Sequence, residues 1–125
     1  MLDADFNLKI GDFGFATPLA GRHQTGYNFT SLGTKGYMSP EIHLKKMYNG
    51  TVADLFASAV ILFIMIAQHP PFTRAEAHDP FYKPIIENNH DLFWHLHSKN
   101  KSPSGKFFSD DFKFLISAML AYSPE

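Results

Sequence analysis

The sequence predicts a mainly α fold with a short β-hairpin at its N-terminus, and three observations carry this. From Leu55 to Ala67 runs a stretch of 13 residues in which Ser58 is the only polar one. Near the C-terminal end Phe112, Leu115, Ile116, Met119 and Leu120 recur at helical spacing. At the start, the apolar pieces Met1-Leu2 and Leu8-Lys9-Ile10 flank Asp3-Ala4-Asp5-Phe6-Asn7, whose Asp and Asn side chains support a turn.

Each further element follows in order. A polar loop runs from about Thr17 to Tyr37, with Gly21, Gly26, Gly33 and Gly36 keeping it irregular. Loops of that length are uncommon in compact domains and tend to carry function or to be disordered. Ser39-Pro40-Glu41 has the form of a helix start, with Ser39 as cap, Pro40 at the first helical position and Glu41 at the positive end of the dipole. That helix is expected to end by Asn49-Gly50. Thr51 then offers a second cap, with Asp54 in the place of the reciprocal capping acid, and opens a central helix of about residues 52–68. The Leu55–Ala67 run is short of the roughly 20 residues a membrane span needs, and a helix apolar all round is a buried one. His69-Pro70-Pro71-Phe72 ends it, because consecutive prolines remove donors and push the preceding residue out of helical space. Outer helices occupy about residues 80–121: two short ones joined at Asn88-Asn89, a polar linker from Ser98 to Lys106, and a last helix opened by Ser109, Asp110 and Asp111.

The 125 residues suffice for one domain, and a hydrophobic share of 45% argues for a packed core and against disorder. With 11 Lys+Arg against 12 Asp+Glu the net charge is -1, which gives no support to a nucleic-acid or membrane-surface partner. The absence of cysteine removes disulfides and thiolate metal sites and is compatible with an intracellular, cytoplasmic setting. Met1-Leu2-Asp3-Ala4-Asp5 has neither the basic region nor the apolar core of a signal peptide. Among the seven histidines, His90, His95 and His97 invite a zinc reading. His95 and His97 point to different helix faces, and the i, i+4 spacing is missing, so zinc is not expected. Trp94 with Phe93 is expected to pack the outer helices or to form a docking patch.

Asp12-Phe13-Gly14 follows the apolar Leu8-Lys9-Ile10 and places a carboxylate just beyond an extended piece, a position that suits a hard cation bound through carboxylate and phosphate oxygens. Alone, three such residues mean little. In order along the chain stand Asp12-Phe13-Gly14, then Gly33-Thr34-Lys35-Gly36-Tyr37-Met38-Ser39-Pro40-Glu41, then Asp54 opening an apolar helix, then Pro70-Pro71-Phe72. This combination resembles the second half of the large lobe of a eukaryotic-type protein kinase, of the serine/threonine kind, with Ser-Pro-Glu for the commoner Ala-Pro-Glu. The resemblance covers essentially all of residues 1–125 and makes them part of the C-lobe of the α+β kinase fold.

The resemblance implies the roles. Asp12 corresponds to the magnesium ligand that bridges ATP phosphates, and Phe13 and Gly14 complete the cofactor-binding motif. Residues 12–41 correspond to the activation segment. Thr34 corresponds to the threonine that positions the catalytic groups at the acceptor site and favours Ser/Thr over Tyr specificity. Thr30, with Ser31 beside it, lies where the family carries an activating phosphothreonine, placed there by an upstream kinase. Glu41 corresponds to the glutamate that pairs with a buried arginine of a Pro-x-x-Arg pattern, whereas the chain stops at Ser123-Pro124-Glu125. Asp54 corresponds to the aspartate that holds the catalytic loop, and Phe56 and Ala59 replace the usual Trp and Gly. ATP and Mg²⁺ are the implied cofactors and a protein the implied substrate. The Gly-rich loop, the ATP-contacting lysine and the His-Arg-Asp loop have no counterpart in the sequence, so this polypeptide alone is expected to neither bind ATP tightly nor transfer phosphate. The alternative is a non-catalytic, pseudokinase-like or helical protein-binding module.

Overall fold

The computed structural model describes residues 1–21, 24–98 and 107–121. Among them lie helices α1 (Pro40–His43), α2 (Gly50–Ala67), α3 (Lys83–Ile86), α4 (His90–Ser98) and α5 (Asp110–Met119), with 3-10 turns at Phe13–Phe15 and Lys35–Tyr37. The expected linker, apart from Ser98, falls on residues outside the described ones, as does Ser123-Pro124-Glu125.

At the N-terminus the expected hairpin is reduced to an isolated antiparallel bridge between Leu2 and Leu8, and no strand forms among the described residues. The turn itself is well made. Asp3 accepts from the amides of Asp5 and Asn7 at 3.1 and 2.8 Å, which holds its carboxyl below the usual carboxylate range. Yet Leu2, Leu8 and Ile10 stay exposed, and a two-stranded hairpin without a third strand or a helix to pack on is marginal.

Helix α1 begins at Pro40, but Ser39 does not cap it through its side chain. It also ends early, at His43, because Lys45 turns left-handed at φ 54. The amide of Lys46 bonds to the Glu41 carbonyl and that of Lys45 to the Ile42 carbonyl, a Schellman ending. The cap of α2 is Asn49 rather than Thr51. Its side-chain oxygen accepts from the amides of Thr51 and Val52 at 2.9 and 3.4 Å, so the helix starts at Gly50 and Asp54 lies too far in to complete a capping box. This lengthens the segment to 18 residues of mean hydropathy 2.2, long and apolar enough by length and composition to cross a membrane. Counting from Leu55 alone therefore understates it.

Within the protein α2 serves as the core helix. Ala53, Phe56, Ala59, Val60, Phe63 and Ala67 form one buried stripe at helical spacing. The helix is not buried all round, however: Leu55, Ile61, Leu62, Met65 and Ile66 remain exposed on its other face. Against the stripe pack Phe72, Tyr82, Ile85, Phe93, Trp94, Phe108, Ile116 and Leu120. Phe63 is fully buried and lies within 6.0 Å, centroid to centroid, of His69, Phe93, Trp94, His97 and Phe108. Two polar contacts fix the outer helices to one another: Tyr82 Oη donates to the Leu120 carbonyl, and Trp94 Nε1 donates to Ser117 Oγ.

The break between α3 and α4 is made by the two asparagines, one for each side. Asn88 is left-handed at φ 52, and the amides of Asn88 and Asn89 close α3 on the carbonyls of Ile85 and Pro84. Asn89 then caps α4 by accepting from the Leu92 amide. Ser109 caps α5 in the same way through Phe112.

His97 sits inside the aromatic core, 5% exposed, with Nε2 buried and unpartnered. Burial lowers its pKa from 6.5 to about 4, His69 stacked on it adds to the fall, and a hydrogen bond with the Pro71 carbonyl opposes it. Folded His97 is therefore neutral where the unfolded residue takes up a proton. Stability is fully present above pH 6.5 and is lost as pH falls toward 4, by on the order of 3 kcal/mol. Urea unfolding at pH 7 and at pH 4.5 measures the loss, and His97→Phe is expected to remove most of it.

Candidate functional site

The segment from Asp12 to Glu41 has two halves with different surroundings. In the first, Asp12 is left-handed at φ 65 and ψ 68 and opens the Phe13–Phe15 turn. Asp tolerates this conformation better than most residues, and strain of this kind gathers at functional positions. The carboxylate of Asp12 is exposed and makes no hydrogen bond to other described residues, while Phe13 and Gly14 are exposed beside it. From Pro18 onward the loop closes on itself, with the Gly26 amide on the Ala20 carbonyl. Gly21, at φ 69, makes this possible, since a Cβ there would stand 2.3 Å from the Tyr27 carbonyl oxygen.

The second half is stapled to the N-terminus of α2. Asn28 is buried and pairs with Tyr48 as an antiparallel bridge, its side chain accepting from Thr17 Oγ1 at 3.0 Å. Tyr48 Oη donates to the Thr30 carbonyl at 2.9 Å. Partial burial raises the Tyr48 phenol above its ordinary pKa, and the charge of Asp54 adds to this. Ser31 Oγ donates to the Ile42 carbonyl at 3.4 Å. Thr30 is thus held through its carbonyl and Ser31 through its hydroxyl, while Thr30 remains exposed. Thr34 starts the Lys35–Tyr37 turn and is exposed, with its hydroxyl free of other described residues.

At the end of the segment the chain goes inside. Ser39 and Pro40 are buried, and Ser39 and Glu41 border a cavity of about 50 Å³ against Val52, Leu55 and Phe56 of α2 and Met119 of α5. Ser39 Oγ and Glu41 Oε2 are both buried there without a hydrogen-bond partner. Buried polar atoms are almost always paired, so these two point to a donor group that the described residues do not supply. Asp54 lies on the exposed side of α2, and Asp12 and Thr34 are not joined by any hydrogen bond. Asp79 escapes a reading of the sequence. It is buried, and its carboxylate accepts the amides of Thr73, Arg74, Phe81 and Tyr82 at 2.9–3.1 Å, which shapes the loop after α2. An Asp directly before Pro80 and Phe81 is the one local signal for it.

A family model for the protein kinase domain matches residues 1–125. The chain is 32% identical over 125 residues to CBL-interacting serine/threonine-protein kinase 10 of Arabidopsis thaliana, covering 100% of this chain and 23% of that protein. It is 35% identical over 117 residues to the calcium/calmodulin-dependent protein kinase type II alpha chain of Drosophila melanogaster, covering 94% and 20%. With CBL-interacting protein kinase 11 of Oryza sativa subsp. japonica it shares 39% over 80 residues, covering 64% and 15%. The chain spans between 15% and 23% of the length of these three relatives.

The staple is open to a direct check. Tyr48→Phe is expected to free the Thr30 carbonyl at a cost of about 0.5–1.5 kcal/mol. Amide exchange should quicken at Asn28, whose N–H bonds to the Tyr48 carbonyl, and stay unchanged in α5.

Proposed function

The chain belongs to the protein kinase domain family, and on that premise we propose that it is a piece of a protein serine/threonine kinase that passes the γ-phosphate of ATP to Ser or Thr hydroxyls of proteins. The observation that carries this reading is the pair of orphaned buried atoms, Ser39 Oγ and Glu41 Oε2, at the end of the segment that begins at Asp12. A buried polar atom left without a partner costs about 1–3 kcal/mol, and Glu41, itself only partly buried, has such an atom in Oε2. In the complete domain Glu41 takes an arginine from outside these residues, which fixes the end of an activation segment of residues 12–41.

Asp12 suits the magnesium ion of such an enzyme. Its carboxylate is a hard oxygen donor, faces solvent and is free of other described residues, and Mg²⁺ is held by one or two carboxylates together with substrate phosphates. The ion would neutralise charge that develops on the transferring phosphoryl group. Thr34, in the exposed turn beside Lys35, orients the acceptor hydroxyl. Asp54 holds the loop that carries the catalytic base. Thr30, exposed while its carbonyl is tied by Tyr48, is a site at which an upstream kinase adds a phosphate of about -1.5 to -2 charge. The Leu2–Leu8 bridge is the end of a hairpin that strengthens when the rest of the domain packs on it.

A second reading has one observation in its favour, the open apolar face of α2 with Leu55, Ile61 and Met65. A non-catalytic module would cover that face with a foreign protein, whereas in a kinase domain the remaining polypeptide covers it. The relatives' names, CBL-interacting and calcium/calmodulin-dependent, support regulation of the whole protein by a protein partner.

Phosphate transfer from labelled ATP to a mixed protein acceptor decides between the readings. The 125-residue chain is expected to transfer none, and the full-length gene product to transfer phosphate to Ser and Thr. Asp12→Asn in the full-length product should lower the rate by at least about 100-fold, in line with loss of a metal-holding carboxylate. Transfer at the unaltered rate by that variant would refute the assignment.

A further inference from the structure

We propose that His43 is a proton-sensitive positioning residue, which as an imidazolium ties the turn at Lys35–Tyr37 to the loop at residues 73–79 and on losing one proton lets that turn go. The His43 side chain is only 6% exposed, with Nδ1 3.2 Å from Glu76 Oε1 and Nε2 3.0 Å from the Lys35 carbonyl oxygen. Both partners are acceptors. A neutral imidazole has one N–H and one lone pair, and only the doubly protonated ring donates at both nitrogens. The surroundings of His43 therefore fit the cation.

Which bond breaks follows from the two acceptors. Hydrogen bonds to an ionised group are roughly twice as strong as neutral ones, so a neutral ring keeps its one N–H on the Glu76 carboxylate and turns a lone pair on the Lys35 carbonyl. The bridge is complete while His43 is protonated and Glu76 ionised, and it is lost as pH rises. Other charged groups do not take it over. In the loop, His78 meets Oε2 of Glu76 at 3.0 Å from a side chain 79% exposed, and the Asp79 carboxylate is spent on four backbone amides. Lys35 reaches His43 through its carbonyl, and among the described residues neither Arg74 nor Glu41, Lys45 and Lys46 around α1 pairs with the ring.

Both ends of the bridge are built in. On the loop side, the Glu76 amide bonds to the Arg74 carbonyl at 2.8 Å and the Asp79 amide to the Glu76 carbonyl at 3.0 Å. Turn and loop also approach each other directly: a Cβ on Gly36 would stand 3.7 Å from the Thr73 carbonyl oxygen. Within the turn the Tyr37 amide donates to the Thr34 carbonyl at 3.0 Å, so holding Lys35 holds Thr34 as well. A cavity of about 250 Å³ bordered by His43, Glu76 and His78 gives water a route to the otherwise buried ring. For its consequence in phosphate transfer this assignment rests on the kinase reading, in which Thr34 orients the acceptor hydroxyl.

Amide exchange of the full-length gene product tests the bridge from about pH 5.5 to about pH 9, either side of the ordinary histidine charge change, with the imidazole nitrogen shifts of His43 reporting its charge. Protection of the Tyr37 amide, corrected for intrinsic exchange and compared with α5, is expected to fall about 2–10-fold as His43 loses its proton. His43→Arg donates to both oxygens at every pH and should keep Tyr37 protected throughout. His43→Phe should leave it at the lower level throughout, and His78→Ala should retain the fall. In transfer assays the KM for the protein acceptor should rise by the same factor over the same range, while that for ATP stays constant. Unchanged Tyr37 protection through the His43 titration, a persisting fall in His43→Arg or His43→Phe, its loss in His78→Ala, or a constant acceptor KM would each overturn the proposal. A fall that follows His43 in a full-length protein that transfers no phosphate would leave the bridge standing and remove only the enzymatic reading.

Discussion

The burial of Phe63 is the constraint on which the remaining structure depends. Its ring is fully buried and meets five others drawn from the turn after α2, from α4 and from Phe108 before α5. Replacing such a side chain with alanine typically costs about 3–5 kcal/mol, a large part of a domain's stability. Because α2 is fixed along this stripe, both of its ends become fixed points as well. Asn49 and Tyr48 at one end hold the loop around Asn28 and Thr30. At the other end Gln68, left-handed at φ 63, turns the chain into Pro70-Pro71 and the loop organised by Asp79.

This arrangement divides the segment from Asp12 to Glu41 physically. Its last residues are tied to the core: Ser39 and Pro40 are buried, and Ile42 accepts from Ser31. Its first residues, Asp12 to Phe15, are exposed and touch little. A segment anchored at one end and open at the other suits a switch, since ordering the open end requires ligands rather than core packing. The unpaired oxygens of Ser39 and Glu41 show that even the anchored end is incomplete among the described residues. The exposed face of α2 tells the same story in apolar surface.

The helical character and the family were legible in the sequence, while the local polar chemistry was legible only in part. The break at Asn88-Asn89 could be read because asparagine both tolerates a left-handed backbone and caps helices, and the structure uses one residue for each task. The start of α2 was misread because Asn49, Thr51 and Asp54 compete as caps, and only the backbone path decides in favour of Asn49. Ser39 has the form of a cap, but its hydroxyl is buried without a partner and the residue borders the cavity beside Glu41. Asp79 and the His43–Glu76 pair were invisible for a plainer reason. Their partners are backbone amides and side chains brought near by folding, and spacing along the chain carries no trace of them.

The central claim is that residues 12–41 form a kinase activation segment completed by polypeptide outside this chain. A crystal structure of the full-length gene product with ATP and Mg²⁺ tests it most directly. The account requires an Asp12 carboxylate oxygen about 2.0–2.1 Å from a magnesium ion, and a guanidinium from outside residues 1–125 within hydrogen-bond distance of Glu41 Oε2. A structure in which Asp12 faces bulk solvent away from the nucleotide, and Glu41 remains unpaired, would contradict it.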